Sequence, residues 1–271
     1  MNIPVGISDF KKIREDDYYY VDKSGLIAEI LKGNSAEVTL ITRPRRFGKT
    51  LGMSMLSYFF DIREKSSELF QGLEISKNQQ LCEKWMNQWP TIFFTLKDVD
   101  GIDFDSAYDQ LLFQISDLYQ KYTYLLPCED IDEDDKKRFR QLKAGEAPKA
   151  LLIRSLSLLM RMMKIYYQKS VILIMDEYDV PLAKASSNGY YARMLEIIKG
   201  MMSTALKDNV SLKFAVITGC LKIAKESIFT GTTPVIIRSF VPLLTLQGTA
   251  LRKNWRLCFP VDILFRVLMK I

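Results

Sequence analysis

Histidine is absent from all 271 residues, which removes Ser-His-Asp and Cys-His nucleophilic sites, imidazole general bases and most transition-metal sites. Any acid–base work falls to carboxylates, Lys, Tyr or water. Cysteine is sparse: Cys82, Cys128, Cys220 and Cys258 stand far apart with no CxxC pair. Neither a zinc site nor a disulfide framework is predicted, and the thiols are expected to be reduced and mostly buried. Long apolar runs are missing too. The best stretches, residues 171–175 and 241–246, fall well short of the roughly 18–20 residues that a membrane span requires. The opening MNIPVGISDF lacks the basic start and apolar run of a secretory signal, so the cytoplasm is the expected location.

What is present is the balance of a globular chain, 48% hydrophobic and 26% charged, enough to bury a sizeable core. The formal net charge is +6, but it is unevenly placed. Residues 232–271 hold Arg238, Arg252, Lys253, Arg256, Arg266 and Lys270 against a single acid, Asp262. The body before them is therefore near neutral. Because nucleic-acid binding is argued from clustering within a fold and not from overall charge, no nucleic-acid contact is predicted.

Hydrophobic periodicity predicts strands alternating with helices. Residues 38–42 are apolar and β-branched, flanked by turn residues, and read as a buried strand. From Thr50 the pattern changes to Leu51, Met55, Phe59 and Ile62, near the helical repeat. A second strand is expected over 91–96, then a helix carrying Tyr108, Leu111, Leu112, Ile115 and Tyr119. The acid-rich run 129–135 reads as a solvated surface excursion, without the ligand spacing of a cation site. A largely apolar helix around 150–166, a strand over 170–175, a helix around 194–206 and a strand over 212–218 follow. This order argues for a parallel sheet covered on both faces. Ahead of it, Tyr18, Tyr19, Tyr20, Val21, Asp22 and Lys23 precede an amphipathic helix through Leu26, Ile27, Ile30 and Leu31, an aromatic cluster expected to serve packing.

The informative loop is Arg43-Pro44-Arg45-Arg46-Phe47-Gly48-Lys49-Thr50, between a buried strand and a helix. In a phosphate-binding P-loop, backbone N–H groups and a helix N-terminus cradle phosphates, Lys reaches the β and γ oxygens, and the hydroxyl holds Mg²⁺. Gly48, Lys49 and Thr50 fit the GK[ST] half, with Leu51 continuing the first turn; Arg43 stands where the general pattern has its first Gly. Arg45 and Arg46 either neutralise phosphate charge or are solvated cations. A second half-motif lies at the end of the strand 171–175, where Asp176-Glu177 delivers an acid pair to the carboxyl edge of the sheet. There Asp176 can support the Mg²⁺ shell and Glu177 can polarise a water. The strand 212–218 ends in Thr218-Gly219, placing a hydroxyl where P-loop ATPases carry a polar residue that senses the γ-phosphate; a strand-end capping role is the alternative. The fold expected is α/β, a three-layer P-loop core of the additional-strand type with a mainly parallel sheet.

The segments DDYYYVDKSGLIAEIL (16–31), LITRPRRFGKTLGMSMLSYFF (40–60), LFQGLEIS (69–76), VILIMDEYDVPL (171–182) and FAVITGCLKIAKESIFTG (214–231) resemble the bacterial AAA-ATPase-like family of predicted P-loop ATPases. In that family an Arg in place of the first glycine is the usual form. The resemblance implies an ATP-binding domain with Arg45, Arg46, Phe47, Gly48, Lys49, Thr50 and Leu51 around the phosphates. It also implies Thr50 and Asp176 at Mg²⁺, with Glu177, Lys49 and Thr218 as the catalytic set.

The organisation expected is an N-terminal aromatic segment and helix over 1–36 that pack on the core, a P-loop ATPase domain over 37–231, and an atypical basic tail over 232–271. The resemblance stops after Gly231, where relatives commonly continue into a nuclease-like domain. The tail, with prolines at 234, 242 and 260 and Asp262 alone as carboxylate, holds no such constellation, so nuclease activity is not predicted. It is either a shifted reading frame, disordered, or a natural variant end whose residues 235–237 supply a last strand. Three functions are carried forward: Mg²⁺-dependent ATP hydrolysis, a nucleotide-gated interaction module without turnover, and a non-functional fragment. Self-association that completes the site with a neighbour's Arg is compatible with the first.

Overall fold

A computed structural model describes residues 3–4, 6–32, 38–42 and 48–219, together with the backbone of Val235–Arg238. Arg43, Arg45, Arg46 and Phe47, and all of the tail except that short backbone, lie outside the described residues. Five strands form the sheet: β1 (Val38–Thr42), β2 (Thr91–Thr95), β3 (Val171–Asp176), β4 (Leu212–Gly219) and β5 (Val235–Arg238). Their spatial order is β2-β3-β4-β1-β5, and every neighbouring pair is parallel. β4 is thus inserted between β1 and β3, which is the additional-strand arrangement expected from the motif order. The last strand expected over 235–237 is present in the backbone, paired with β1 from Val38↔Val235 to Ile41↔Arg238.

The continuous apolar run of β3 follows from its place. All six residues are buried, because parallel strands are covered on both faces. Alternation sorts the side chains: Val171, Leu173 and Met175 join Ala215 and Ile217 of β4 in the larger core. Helices α5 (Phe104–Gln120), α6 (Glu133–Ala144), α7 (Lys149–Ile153), α8 (Ser155–Tyr167), α9 (Val180–Ser187) and α10 (Tyr191–Leu206) contribute to that core. Ile172, Ile174 and Val216, equally buried, lie outside that core, as the period of two requires. Phe214, of the same parity as Val216, meets Phe60 at 5.6 Å. Phe60 ends α3 (Lys49–Phe60), which packs on β2 and β3, and α1 (Phe10–Glu15) packs on α3. The result is helix, sheet, helix. Among the described residues no helix is long and apolar enough to cross a membrane.

Three expectations are corrected. The acid-rich run is not wholly a solvated excursion: Asp132 caps α6 by accepting from the Asp134 N–H, and Glu133, Asp134 and Asp135 occupy its first turn, where they suit the helix dipole. Asp135 is buried and binds the Arg161 guanidinium through both oxygens (2.8 and 2.5 Å), with Arg138 at 3.1 Å. The single helix expected around 150–166 is broken at Arg154. Hydroxyls from neighbouring elements take the carbonyls beside the break: Thr204 donates to Ile153 (2.8 Å) and Tyr119 to Ser155 (2.7 Å). Cys82 and Cys128 are half-buried, not fully buried; Cys220 and Cys258 lie outside the described residues. Two short helices, α4 (Gln79–Trp85) and α2 (Gly25–Lys32), complete the set.

Candidate functional site

The sheet register brings the site together. β1 pairs Ile41 with Thr218 and Thr42 with Gly219, and β4 pairs Met175 with Ile217. The carboxyl ends of three adjacent parallel strands therefore finish level, the edge along which such sheets present ligands. After β1 the chain re-enters described structure at Gly48. Its φ of 71° lies in the left-handed region that costs an ordinary L-residue about 1–2 kcal/mol, and its carbonyl accepts from the Gly52 N–H at 3.0 Å to start α3. Among the described residues no side chain caps the first turn of α3 and no acid lies in it. The first N–H groups of the helix have no partner within it, and its dipole places positive charge there. Lys49 is buried at 9% exposure, and Thr50 and Leu51 are half-buried.

Asp176, the last residue of β3, is fully buried. Its Oδ1 accepts a short hydrogen bond from the Thr218 hydroxyl across the sheet, and its backbone carbonyl accepts from Leu96 N–H at 3.1 Å. Its Oδ2, equally buried, has no hydrogen-bond partner among the described residues. A buried carboxylate oxygen left in that state costs of the order of 1–3 kcal/mol, and such exceptions need a reason. An oxygen donor held on one side and open on the other suits a hard divalent cation such as Mg²⁺. No group of three or more acidic or thiol side chains with metal-site geometry occurs among the described residues. That matches a Mg²⁺ held by one or two protein oxygens and by phosphates, with no all-protein cage.

Glu177 follows in the left-handed region, at φ 55°, unusual for a non-glycine residue and typical of strained functional turns. Thr218 holds this turn. Its hydroxyl oxygen accepts from the Glu177 N–H at 3.4 Å while its single proton goes to Asp176, and its carbonyl accepts from Tyr178 N–H at 3.1 Å. Val180 N–H then donates back to the Glu177 carbonyl at 3.1 Å. One fully buried threonine therefore fixes both acids of the DE pair.

Two contributors escaped the sequence reading. Gly219 is needed for close approach: a Cβ there would stand 2.4 Å from Cε1 of Tyr178 and 2.9 Å from Oδ1 of Asp179. The signal was the Gly immediately after the strand-ending Thr. Lys23 is the other: its Nζ lies 3.0 Å from where a Cβ on Gly48 would be. The aromatic cluster beside it packs as expected, Tyr20 meeting Phe10 edge-on at 5.4 Å and donating from its hydroxyl to Met55 Sδ at 3.3 Å. Burial pushes the Tyr20 phenol up to about 12.

A family model described as "Predicted AAA-ATPase" matches residues 4–229. A curated relative, the "Uncharacterized protein in vnfD 5'region" of Azotobacter chroococcum mcd 1, is 26% identical over 231 residues. That alignment covers 84% of this chain and 39% of the relative, so the chain spans about two-fifths of the length of that protein.

Proposed function

The chain belongs to the AAA-ATPase-like family, and from that premise we propose that it binds ATP with Mg²⁺ and hydrolyses it. The observation that carries the proposal is Asp176, fully buried, held through Oδ1 by Thr218 and left without a hydrogen-bond partner at Oδ2 among the described residues. No packing requirement explains an acid at the end of an otherwise wholly apolar strand. A cation at the carboxyl edge does.

In this reading the loop through Arg45, Arg46, Phe47 and Gly48 and the first amides of α3 receive the phosphates, and the Lys49 ammonium reaches the terminal ones. Thr50 Oγ1 and Asp176 Oδ2 hold Mg²⁺, which when bound neutralises charge on the phosphates. Glu177 orients and polarises a water, a task open to a carboxylate in a chain without histidine. Thr218 acts as a positioning residue: its proton fixes the Asp176 carboxylate and its oxygen fixes the Glu177 amide, so the two acids keep a constant relation. Residues 37–231 form the ATPase unit, with 1–36 packed against it and 232–271 appended.

The test is a titration with a fluorescent ATP analogue beside phosphate release. Lys49→Ala is expected to lose binding at least tenfold. Glu177→Gln is expected to keep binding and lose turnover. Phosphate release from Glu177→Gln at the wild-type rate removes the catalytic assignment, and wild-type protein that binds no nucleotide removes the function altogether.

A further inference from the structure

Sequence spacing assigns one lysine to the phosphates, Lys49, but the fold brings a second ammonium to the same turn. Helix α3 presents Gly48, Gly52 and Met55 at intervals of four and three, which place them on one face. The N-terminal segment runs along that face. Lys23 Nζ stands 3.0 Å from the point a Gly48 Cβ would occupy, Leu26 Cδ2 lies 3.9 Å from the corresponding point on Gly52, and Tyr20 donates to Met55 Sδ at 3.3 Å. Three contacts on successive turns fix the segment's register against the helix, and the two glycines permit the approach. A β-carbon at Gly48 would displace the ammonium.

The turn that carries Lys23 is itself anchored. Asp22 accepts from the Ser24 N–H at 2.8 Å through Oδ1 and from the Glu74 N–H at 2.7 Å through Oδ2. The fully buried Ser24 accepts from the Ile75 N–H at 3.1 Å. Lys23 adds its own backbone: its N–H donates to the Tyr20 hydroxyl at 3.4 Å and its carbonyl accepts from Leu26 N–H at 3.0 Å. The backbone is tied down on both sides, whereas the residue stays exposed to solvent. A lysine whose base is rigid and whose head lies beside an uncapped helix start meets the positive end of that helix, an unfavourable place for a cation unless an anion comes between them. The buried, unpartnered Asp176 Oδ2 at the level carboxyl edge of the same sheet is the second observation pointing to a bound group there.

We propose that Lys23 is a second phosphate-binding cation of the nucleotide site, supplied by the N-terminal segment outside the P-loop motif. The proposal rests on the ATP-binding reading above. It gives the segment 20–26 a function beyond packing: the segment closes over the start of α3 and adds charge where a triphosphate concentrates it. It also couples nucleotide to the segment, since phosphates shared by Lys23 and Lys49 draw residues 20–26 onto α3.

The experiment compares full-length wild type, Lys49→Ala, Lys23→Met and Lys23→Arg by titration with a fluorescent ATP analogue, with thermal unfolding of each apo protein as the folding control. Met keeps the length and apolar stem and removes the charge, whereas Arg keeps the charge. Lys23→Met is expected to weaken ATP about tenfold, with Lys23→Arg within about threefold of wild type and all unfolding midpoints unchanged. Wild-type affinity in Lys23→Met, beside lost binding in Lys49→Ala, overturns this inference and leaves the P-loop reading standing. Equal losses in Met and Arg also overturn it, since they mark a packing role indifferent to charge. No binding by wild type, or full binding by Lys49→Ala, sinks the P-loop reading and this inference with it.

Discussion

Replacing Thr218 by Val tests the hydroxyl at the centre of the site while nearly keeping its shape. Both residues are β-branched and suit a strand, and the position is fully buried. The change removes the only proton donated to the Asp176 side chain among the described residues, together with the acceptor for the Glu177 N–H. A hydrogen bond to a charged group contributes about 1.5–3 kcal/mol, and the substitution leaves both oxygens of a fully buried carboxylate unsatisfied. The added methyl returns at most about 0.8 kcal/mol through apolar burial. The expected net loss is therefore about 2 kcal/mol, a fall in unfolding midpoint of ~4–8 °C for a chain of this size. Thr218→Ser is the control, since it keeps the hydroxyl and removes only a methyl, costing about 1 kcal/mol. Urea unfolding followed by tryptophan emission reads both variants on one signal. Phosphate release should fall far more in Val than in Ser, because Val frees the two acids while Ser holds them. If Val is as stable as Ser, or if the two variants lose turnover equally, Thr218 does not position the acid pair.

Two further outcomes follow from the same turn and its neighbour. At Glu177, with φ 55°, Gly should exceed Ala in stability by about 1 kcal/mol, because only Gly adopts that backbone without strain; equal stability in paired denaturant titrations would show the turn to be unstrained. The Tyr20 phenol is raised to about 12 by burial, so the folded state favours its protonated form. The stability this confers is complete below the ordinary phenol value near 10 and is lost as pH rises from there through about 12. Tyr20→Phe should flatten the alkaline fall in unfolding free energy over that window, and an unchanged slope would mean that Tyr20 ionises freely.

The strands were legible because a parallel sheet buried on both faces demands continuous apolar runs, and β1, β2, β3 and β4 each lie within a residue or so of their expected limits. The DE pair was legible for the complementary reason, since acids ending such a run break its pattern. The acid-rich helix α6 was missed because what fixes it is distant: Asp135 is buried against Arg161, 26 positions on, and a local charge pattern cannot show that pairing. The break at Arg154 depends on hydroxyls from Tyr119 and Thr204, again outside any local window. Lys23 was invisible in the same way. Its neighbours in sequence are aromatic and acidic, and only the docking of residues 20–26 along α3 brings its ammonium to Gly48.

The features that break local rules fall within two short stretches. Residues 176–177 combine a buried carboxylate oxygen without a hydrogen-bond partner among the described residues and a non-glycine residue in the left-handed region. Residues 218–219 supply the hydroxyl that holds that carboxylate and the glycine that admits Tyr178. Each feature lowers stability or constrains sequence, and none adds apolar burial to the core. A sheet selected for stability alone would end β3 in a solvated acid or another apolar residue and would place Gly at 177. Their convergence at one edge, beside the start of α3, is what separates a ligand site from ordinary strand ends, because consistency across levels holds elsewhere in this sheet and fails here. Thr218 is where the two stretches meet, so its hydroxyl is the atom on which the stability and the proposed chemistry of the edge both depend.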